Sequence, residues 1–144
     1  MTQCNMDTCN ADAVASLVLA LADYRRRWTG EAATVDLFIA LLGDVDDPFV
    51  RERLSAHFTA SAWLVSRDGR RVLLTHHRKL GRWLQLGGHA DGDRDLARTA
   101  LKEAEEESGL AGLKIDPALF DLDRHWIPEH EGVPAHWHYD VRYV

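Results

Sequence analysis

The spacing of apolar residues in the first third of the chain predicts helices. Between residues 12 and 28, apolar side chains recur at three- and four-residue intervals, Asp12 is placed to cap the helix, and three arginines fill its last turn. Two further helices are predicted, one over 31–42 and a shorter one over 48–54. Residues 1–55 are therefore interpreted as a helical N-terminal extension.

From residue 57 onward the pattern changes to short strands. Residues 57–66 are rich in strand-forming side chains, a turn follows at 67–70, and a second strand is predicted over 71–75. Residues 76–88 are dense in polar and aromatic groups and are predicted to form a loop.

One strong helix interrupts the strands. It is predicted over 95–107, which lacks glycine and proline, and the Ser-Gly pair that follows ends it. Residues 113–144 are again strand-like, and over 136–143 the side chains alternate with period two.

The charge balance narrows the function classes. The 144 residues fit one domain, and 17 Lys and Arg against 23 Asp and Glu give a net charge of −6. A net anion binds duplex nucleic acid or an acidic membrane poorly, because both need a positive contact surface. The apolar run 13–22 is too short to cross a bilayer and follows no cation, so we expect a cytoplasmic protein. Cys4 and Cys9 are too few for a disulfide framework.

Acidic residues of the helix 95–107 fall beside its apolar side. A helical projection places the apolar residues in one arc: Leu96, Ala97, Ala100, Leu101 and Ala104. Glu103 and Glu107 flank Leu96 within roughly 20° on either side, and Glu106 lies about 60° beyond Glu103. Carboxylates at such a border repel each other and lose hydration, and a nearby cation is expected to offset the free-energy cost of this repulsion and desolvation. Mg²⁺ suits three such carboxylates, and a solvated acidic helix face is the alternative.

The segment 87–110, GGHADGDRDLARTALKEAEEESGL, resembles the Nudix box, G-x5-E-x7-R-E-U-x-E-E-x-G-U, where U is a bulky apolar residue. This box is the signature of hydrolases that cleave nucleoside diphosphates linked to a further group. Aligned without gaps, the matching positions are Gly88, Glu103, Glu106, Glu107, Gly109 and Leu110. Three positions depart from the box: Arg94 replaces its first Glu, Lys102 replaces its Arg, and Ala104 is small.

The resemblance implies a fold and an activity. The fold is an α/β Nudix-like α/β/α sandwich over 56–144, with a mixed sheet and the box helix on one face, after the N-terminal extension. The activity is Mg²⁺-dependent hydrolysis of a phosphoanhydride bond in a nucleoside diphosphate derivative, with Mn²⁺ as a substitute ion. Glu103, Glu106 and Glu107 would bind the metal and carry catalysis.

Supporting roles also follow from the resemblance. The backbone carbonyl of Gly88 would complete the metal ligands, and Lys102 would orient the carboxylates, with its charge but without the fork of an arginine. The residue that takes the proton from the attacking water is left open between Glu106 and Glu107 on the helix and Glu129 and Glu131 in a later loop.

A cationic cluster precedes the box and offers contacts to the substrate phosphates. Its members are His76, His77, Arg78, Lys79 and Arg82. The alternative is an ordinary solvated loop. Trp83 could stack on a base or belong to the core, and His89 could contact phosphate or cap the loop.

His136, His138 and Asp140 share one face of the last predicted strand. Two interpretations stand: a polar row lining the substrate cleft, in which His136 and His138 contact substrate, or a transition-metal site. The first is favoured because no third nitrogen or sulfur ligand is evident from the sequence.

Only 34 residues follow Leu110, whereas Nudix domains usually continue with further strands and a closing helix. The domain is thus expected to be short at its C-terminal end, with three explanations: the N-terminal helices fill that place, a partner subunit of a homodimer covers it, or the chain is truncated. The alternative function is a Nudix-like nucleotide-binding module with weak or absent catalysis. Isomerase chemistry on isopentenyl diphosphate is disfavoured, because it calls for a catalytic cysteine.

Overall fold

The N-terminal segment is helical in the computed structural model, which describes residues 6–144. Helix α1 spans Met6–Arg27 and α2 spans Ala32–Leu42, with a single 3-10 turn between them. Helix α1 begins before the predicted cap at Asp12. Cys9 lies in α1, and Cys4 lies outside the described residues. Within residues 6–144, no helix has the length and apolar character needed to cross a bilayer.

The helix predicted over 48–54 is wrong, because the backbone of this segment bonds to other elements. The carbonyl of Pro48 accepts from Phe58 N at 2.8 Å, and that of Phe49 accepts from Gly92 N at 2.8 Å. These carbonyls are therefore unavailable for an α-helical ladder, and the segment forms turns.

Eight strands and one more helix follow. They are β1 (Ala56–Ala62), β2 (Leu64–Val65), β3 (Val72–Leu73), β4 (Thr75–His77), β5 (Arg82–Leu84), β6 (Leu86–His89), α3 (Leu96–Ser108), β7 (Asp121–Ile127) and β8 (His136–Tyr143). The prediction that 76–88 is a loop is wrong: it contains most of the β4–β5 hairpin and nearly all of β6. Gly81, at φ +61°, lies in the turn of this hairpin and donates its N–H to His77 O at 2.8 Å.

The main sheet has four strands in the order β6-β1-β8-β7. Strands β1 and β8 pair in parallel, and the two outer pairs are antiparallel. The predicted α/β class and mixed sheet are confirmed. Strands β2–β3 and β4–β5 form two separate hairpins.

One face of the sheet is apolar and receives helices. Phe58 of β1 lies beside its register partner Tyr139 of β8, and Phe38 of α2 packs on both rings, with centroids 6.1 and 5.0 Å away. Helix α3 packs on β1 and β6 through the buried Leu96 and Ala100. The N-terminal helices and the strands therefore share one hydrophobic core.

The opposite face of the same strands is polar. Because side chains alternate along a strand, His57, Thr59 and Ser61 of β1 point away from Phe58, and their register partners on β8 are His138, Asp140 and Arg142. His57, Thr59 and Ser61 are nevertheless buried, at 2%, 5% and 6% exposure. The centre of the sheet thus carries titratable groups on one side and the core on the other.

Candidate functional site

The start of α3 is fixed by aspartates. Asp95 caps the helix by accepting from Arg98 N at 3.0 Å, and Asp93 accepts from Asp95 N at 2.9 Å and from the Arg98 guanidinium. Gly109, at φ +71°, ends the helix in the left-handed conformation. These caps set the rotation of the helix and hence the direction of its glutamates.

Glu103 packs directly on the backbone of β6. A Cβ placed on Gly88 would lie 2.6 Å from Glu103 Cδ and 2.7 Å from its Oε2. Only glycine leaves room for the carboxylate at this position. The Glu103 side chain is 21% exposed, and burial raises its pKa, with the charges of Glu106, Glu107 and Asp91 adding to the effect and Lys102 opposing it.

Glu107 is also held by β6, which is an edge strand. The N–H of Gly87 donates to Glu107 Oε2 at 3.0 Å. Lys102 Nζ lies 4.0 Å from Glu103 Oε1 and 3.8 Å from Glu106 Oε1, which is too far for hydrogen bonds. The structure therefore gathers the three glutamates and Lys102 beside the middle of β6, at Gly87 and Gly88.

The chemistry of this group fits a hard divalent cation. Its donors are carboxylate and carbonyl oxygens, which Mg²⁺ prefers. Glu103 has been partly withdrawn from water among like charges, and a cation would stabilise it. Asp91 lies nearby but forms a bidentate ion pair with Arg51, at 2.7 and 2.5 Å, which lowers the pKa of Asp91.

Arg94, which stands at the position of the first Glu of the box, has a structural role. Its guanidinium donates to Gly92 O at 2.6 Å and to Asp47 Oδ2 at 2.5 Å, and it lies over the Phe49 ring, 5.1 Å from the centroid. Arg94 thus ties the loop before α3 to the segment before β1.

The cationic residues predicted to contact phosphate lie on the β4–β5 hairpin. Arg78, Lys79 and Arg82 are exposed, and Lys79 Nζ forms an ion pair with Glu131 Oε1 at 2.7 Å. Trp83 is 66% exposed beside the His76 ring, so its interpretation as a core residue is wrong.

Histidines from β1, β6, β7 and β8 lie together on the polar face of the sheet. The rings of His57, His89 and His138 form a triangle with centroids 4.9 to 5.1 Å apart. His136 Nε2 lies 3.1 Å from His138 Nε2. Burial, together with the Arg51 charge, lowers the pKa of His89 to about 4, and burial among the other histidines lowers that of His138 to about 2.

His57 is not predicted as a functional residue from the sequence, which indicates only a strand over 57–66. The signal that could have identified this residue is the polar side chain at every second position of the strand, at His57, Thr59 and Ser61. The last predicted strand carries a similar polar row, at His136, His138 and Asp140. Asp140 does not join the histidines. It accepts from Thr59 Oγ1 at 2.9 Å and Ser61 Oγ at 2.6 Å, and pairs with Arg142.

Comparison with known families gives a match to the NUDIX domain. The family model for the NUDIX domain matches residues 56–141, which is more than half of the chain. The matched range begins with β1 and ends in β8, so it includes the main sheet and α3 with its glutamates. Comparison with curated proteins gives no match.

Proposed function

The chain belongs to the Nudix family of hydrolases, which act on pyrophosphate bonds, and on that premise we propose Mg²⁺-dependent hydrolysis of a nucleoside diphosphate derivative. The observation that carries the proposal is the Glu103 carboxylate packed on Gly88 beside Glu106 and Glu107, at the edge of the sheet. Mn²⁺ offers the same coordination chemistry and is expected to substitute.

The three glutamates have different surroundings and therefore different proposed roles. Glu103 and Glu107 are held by β6, the first by contact with Gly88 and the second by the N–H of Gly87, so they are placed as fixed ligands. The carbonyl of Gly88 offers a further oxygen. When bound, the metal ion would neutralise charge on the pyrophosphate oxygens and lower the pKa of an attacking water.

Glu106 is the proposed general base. Its side chain is 59% exposed, so a water molecule can reach it, and it has no bond to β6 that would need to break. Lys102 would hold it near Glu103 through charge alone, since Lys102 makes no hydrogen bond to either carboxylate. Glu131 is less suitable because its ion pair with Lys79 lowers its pKa.

The proposed substrate is a small anionic molecule in the cytoplasm, not duplex nucleic acid and not a membrane. Arg78 and Arg82 on the exposed β4–β5 hairpin would contact its phosphates, and Lys79 would join them by leaving Glu131. His89, His136 and His138 were predicted as substrate contacts, and that role stays a prediction. A homodimer likewise stays a prediction.

The test is hydrolysis with Mg²⁺ of a panel of nucleoside diphosphate sugars, dinucleoside polyphosphates and nucleoside triphosphates. We expect release of nucleoside monophosphate or phosphate, and a loss of about 10²-fold or more in rate for Glu107→Gln and Glu106→Gln. Glu52→Gln, an exposed carboxylate outside the cluster, is the control and should retain the rate. Equal rates for all three variants would contradict the proposal.

A nucleotide-binding module with little catalysis is the second candidate. The observation that favours it is Arg94, whose bonds to Asp47 and Gly92 leave no carboxylate at that position of the box. Tight binding of a panel member with no product would support this function instead.

A further inference from the structure

We propose that His57, His89 and His138 form a second metal site, which takes a divalent transition ion of the Zn²⁺ class and is separate from the glutamates. Each histidine offers one ring nitrogen, and these three atoms lie within 4.8 Å of one another. Imidazole nitrogen is a borderline ligand that suits Zn²⁺, Co²⁺ and Ni²⁺, whereas Mg²⁺ prefers oxygen. The two sites therefore select different ions.

The three ligands come from three adjacent strands, which makes the site rigid. His57 on β1 and His138 on β8 are direct register partners, and His89 ends β6 on the other side of β1. Tetrahedral coordination at about 2.0–2.1 Å places ligand nitrogens about 3.4 Å apart. Small rotations of the three side chains on the fixed sheet would bring their nitrogens from within 4.8 Å of one another to this separation.

His57 supplies the independent observation that points to a ligand. The side chain is 2% exposed, and its Nδ1 lies 3.1 Å from Arg53 O. A carbonyl only accepts, so Nδ1 carries the proton and Nε2 has a free lone pair. Nε2 is buried and has no hydrogen-bond partner among the described residues. A buried acceptor without a partner costs free energy, and a metal ion would satisfy it.

The surroundings resemble the outer shell that orients histidine ligands at metal sites. The backbone carbonyl of Arg53 fixes the ring of His57 in the way that such carbonyls commonly do. On the other side, His136 donates its Nδ1–H to Pro134 O at 2.7 Å, which leaves its Nε2 to accept from His138 Nε2 at 3.1 Å. His136 is thus a positioning residue for His138.

Three protein ligands leave the fourth tetrahedral position open, as in zinc sites that bind water or an anion. The proposed transition ion and the proposed Mg²⁺ lie on opposite faces of β6, because His89 pairs with Thr59 of the polar face whereas Gly88, which Glu103 contacts, pairs with Ala60 of the core face.

The test is titration of the metal-free full chain with Co²⁺, followed by visible absorption, and with Zn²⁺ against a chromophoric chelator. We expect one equivalent of Co²⁺ to produce the intense ligand-field bands of a four-coordinate site, and Zn²⁺ to displace it. His89→Ala and His138→Ala should abolish stoichiometric binding. His130→Ala, an exposed histidine outside the triangle, is the matched control and should bind normally.

Two results of the titration would overturn the proposal: no saturable Co²⁺ binding by the wild-type chain, or binding that survives His89→Ala and His138→Ala but is lost in Glu103→Gln. Circular dichroism checks that the variants fold. If they do not, X-ray absorption of the Zn²⁺-loaded wild-type chain decides, since three imidazoles support the site and an all-oxygen shell refutes it. None of these measurements uses hydrolysis, so the second site can fail or succeed independently of the proposed activity.

Discussion

Gly88→Ala isolates the contact that places Glu103. The added Cβ would lie 2.6 Å from Glu103 Cδ, 2.7 Å from Oε2 and 3.0 Å from Oε1. Since carbon atoms in contact lie at about 3.5 Å or more, the carboxylate must move by about 0.9 Å. The atoms in the way are the far end of a flexible side chain that is 21% exposed, so it can rotate outward.

The expected result is a loss of activity with little loss of stability. A misplacement of about 1 Å at a catalytic group costs about 10²-fold in rate, which corresponds to about 2.7 kcal/mol of transition-state stabilisation. The free energy of unfolding should change by less than about 1 kcal/mol, because the displaced carboxylate gains solvent.

Gly87→Ala is the matched control, one residue away. Its Cβ would lie 2.5 Å from Ser61 Cβ and 2.6 Å from Ala60 O, which belong to the neighbouring strand and cannot rotate away. We expect about 1–3 kcal/mol of destabilisation from this overpacking. Hydrolysis rates at saturating Mg²⁺ and urea unfolding curves measure both effects. The reasoning is refuted if Gly88→Ala hydrolyses at the wild-type rate, or if the two variants lose equal stability.

Two further predictions concern the polar face of the sheet. Asp140→Ala should destabilise the chain by about 3 kcal/mol in urea unfolding, because Thr59 and Ser61 lose a buried acceptor while Arg142 keeps two other carboxylates. The control is Asp123→Ala, which removes a half-exposed partner of Arg142 and should cost less than about 1 kcal/mol. Equal losses of stability in the two variants would contradict this prediction. The second prediction concerns pH. Because the pKa values of His89 and His138 are lowered in the native chain, only the unfolded chain takes up these protons below about pH 6.5, and the stability of the metal-free chain should fall from pH 7 to pH 5. A urea midpoint that is constant or rises as the pH is lowered over this interval would refute the lowered pKa values.

The helix of the box was predictable because every local signal agreed. The prediction 95–107 differs from the observed Leu96–Ser108 by one residue at each end, since Asp95 caps the start and Gly109 stops the end. Leu96, Ala100 and Ala104 of the projected arc are buried. Helical spacing alone therefore placed Glu103 at the border of the core, whereas Glu107, for which the projection predicts the same position, is exposed.

The segments that failed depend on partners far away in sequence. The backbone of 48–54 bonds to Phe58 and Gly92, and strands β4 to β6 have only three or four residues each, which is too short for a clear period. The histidine triangle could not be predicted from the sequence because its members are also far apart along the chain. His57, His89 and His138 come from three strands, and only the register of the sheet brings them together.

The parallel pairing of β1 with β8 has a consequence for the order in which the chain folds. Ala56 pairs with Trp137, so 81 residues separate the partners at the centre of the sheet. Closing so long a loop costs chain entropy before any contact repays it, and such pairings form slowly. During synthesis, α1, α2 and β1 emerge before residues 136–143, so the edge of β1 that pairs with β8 is still uncovered. Until residues 136–143 arrive, this edge is open to pairing with the wrong strand.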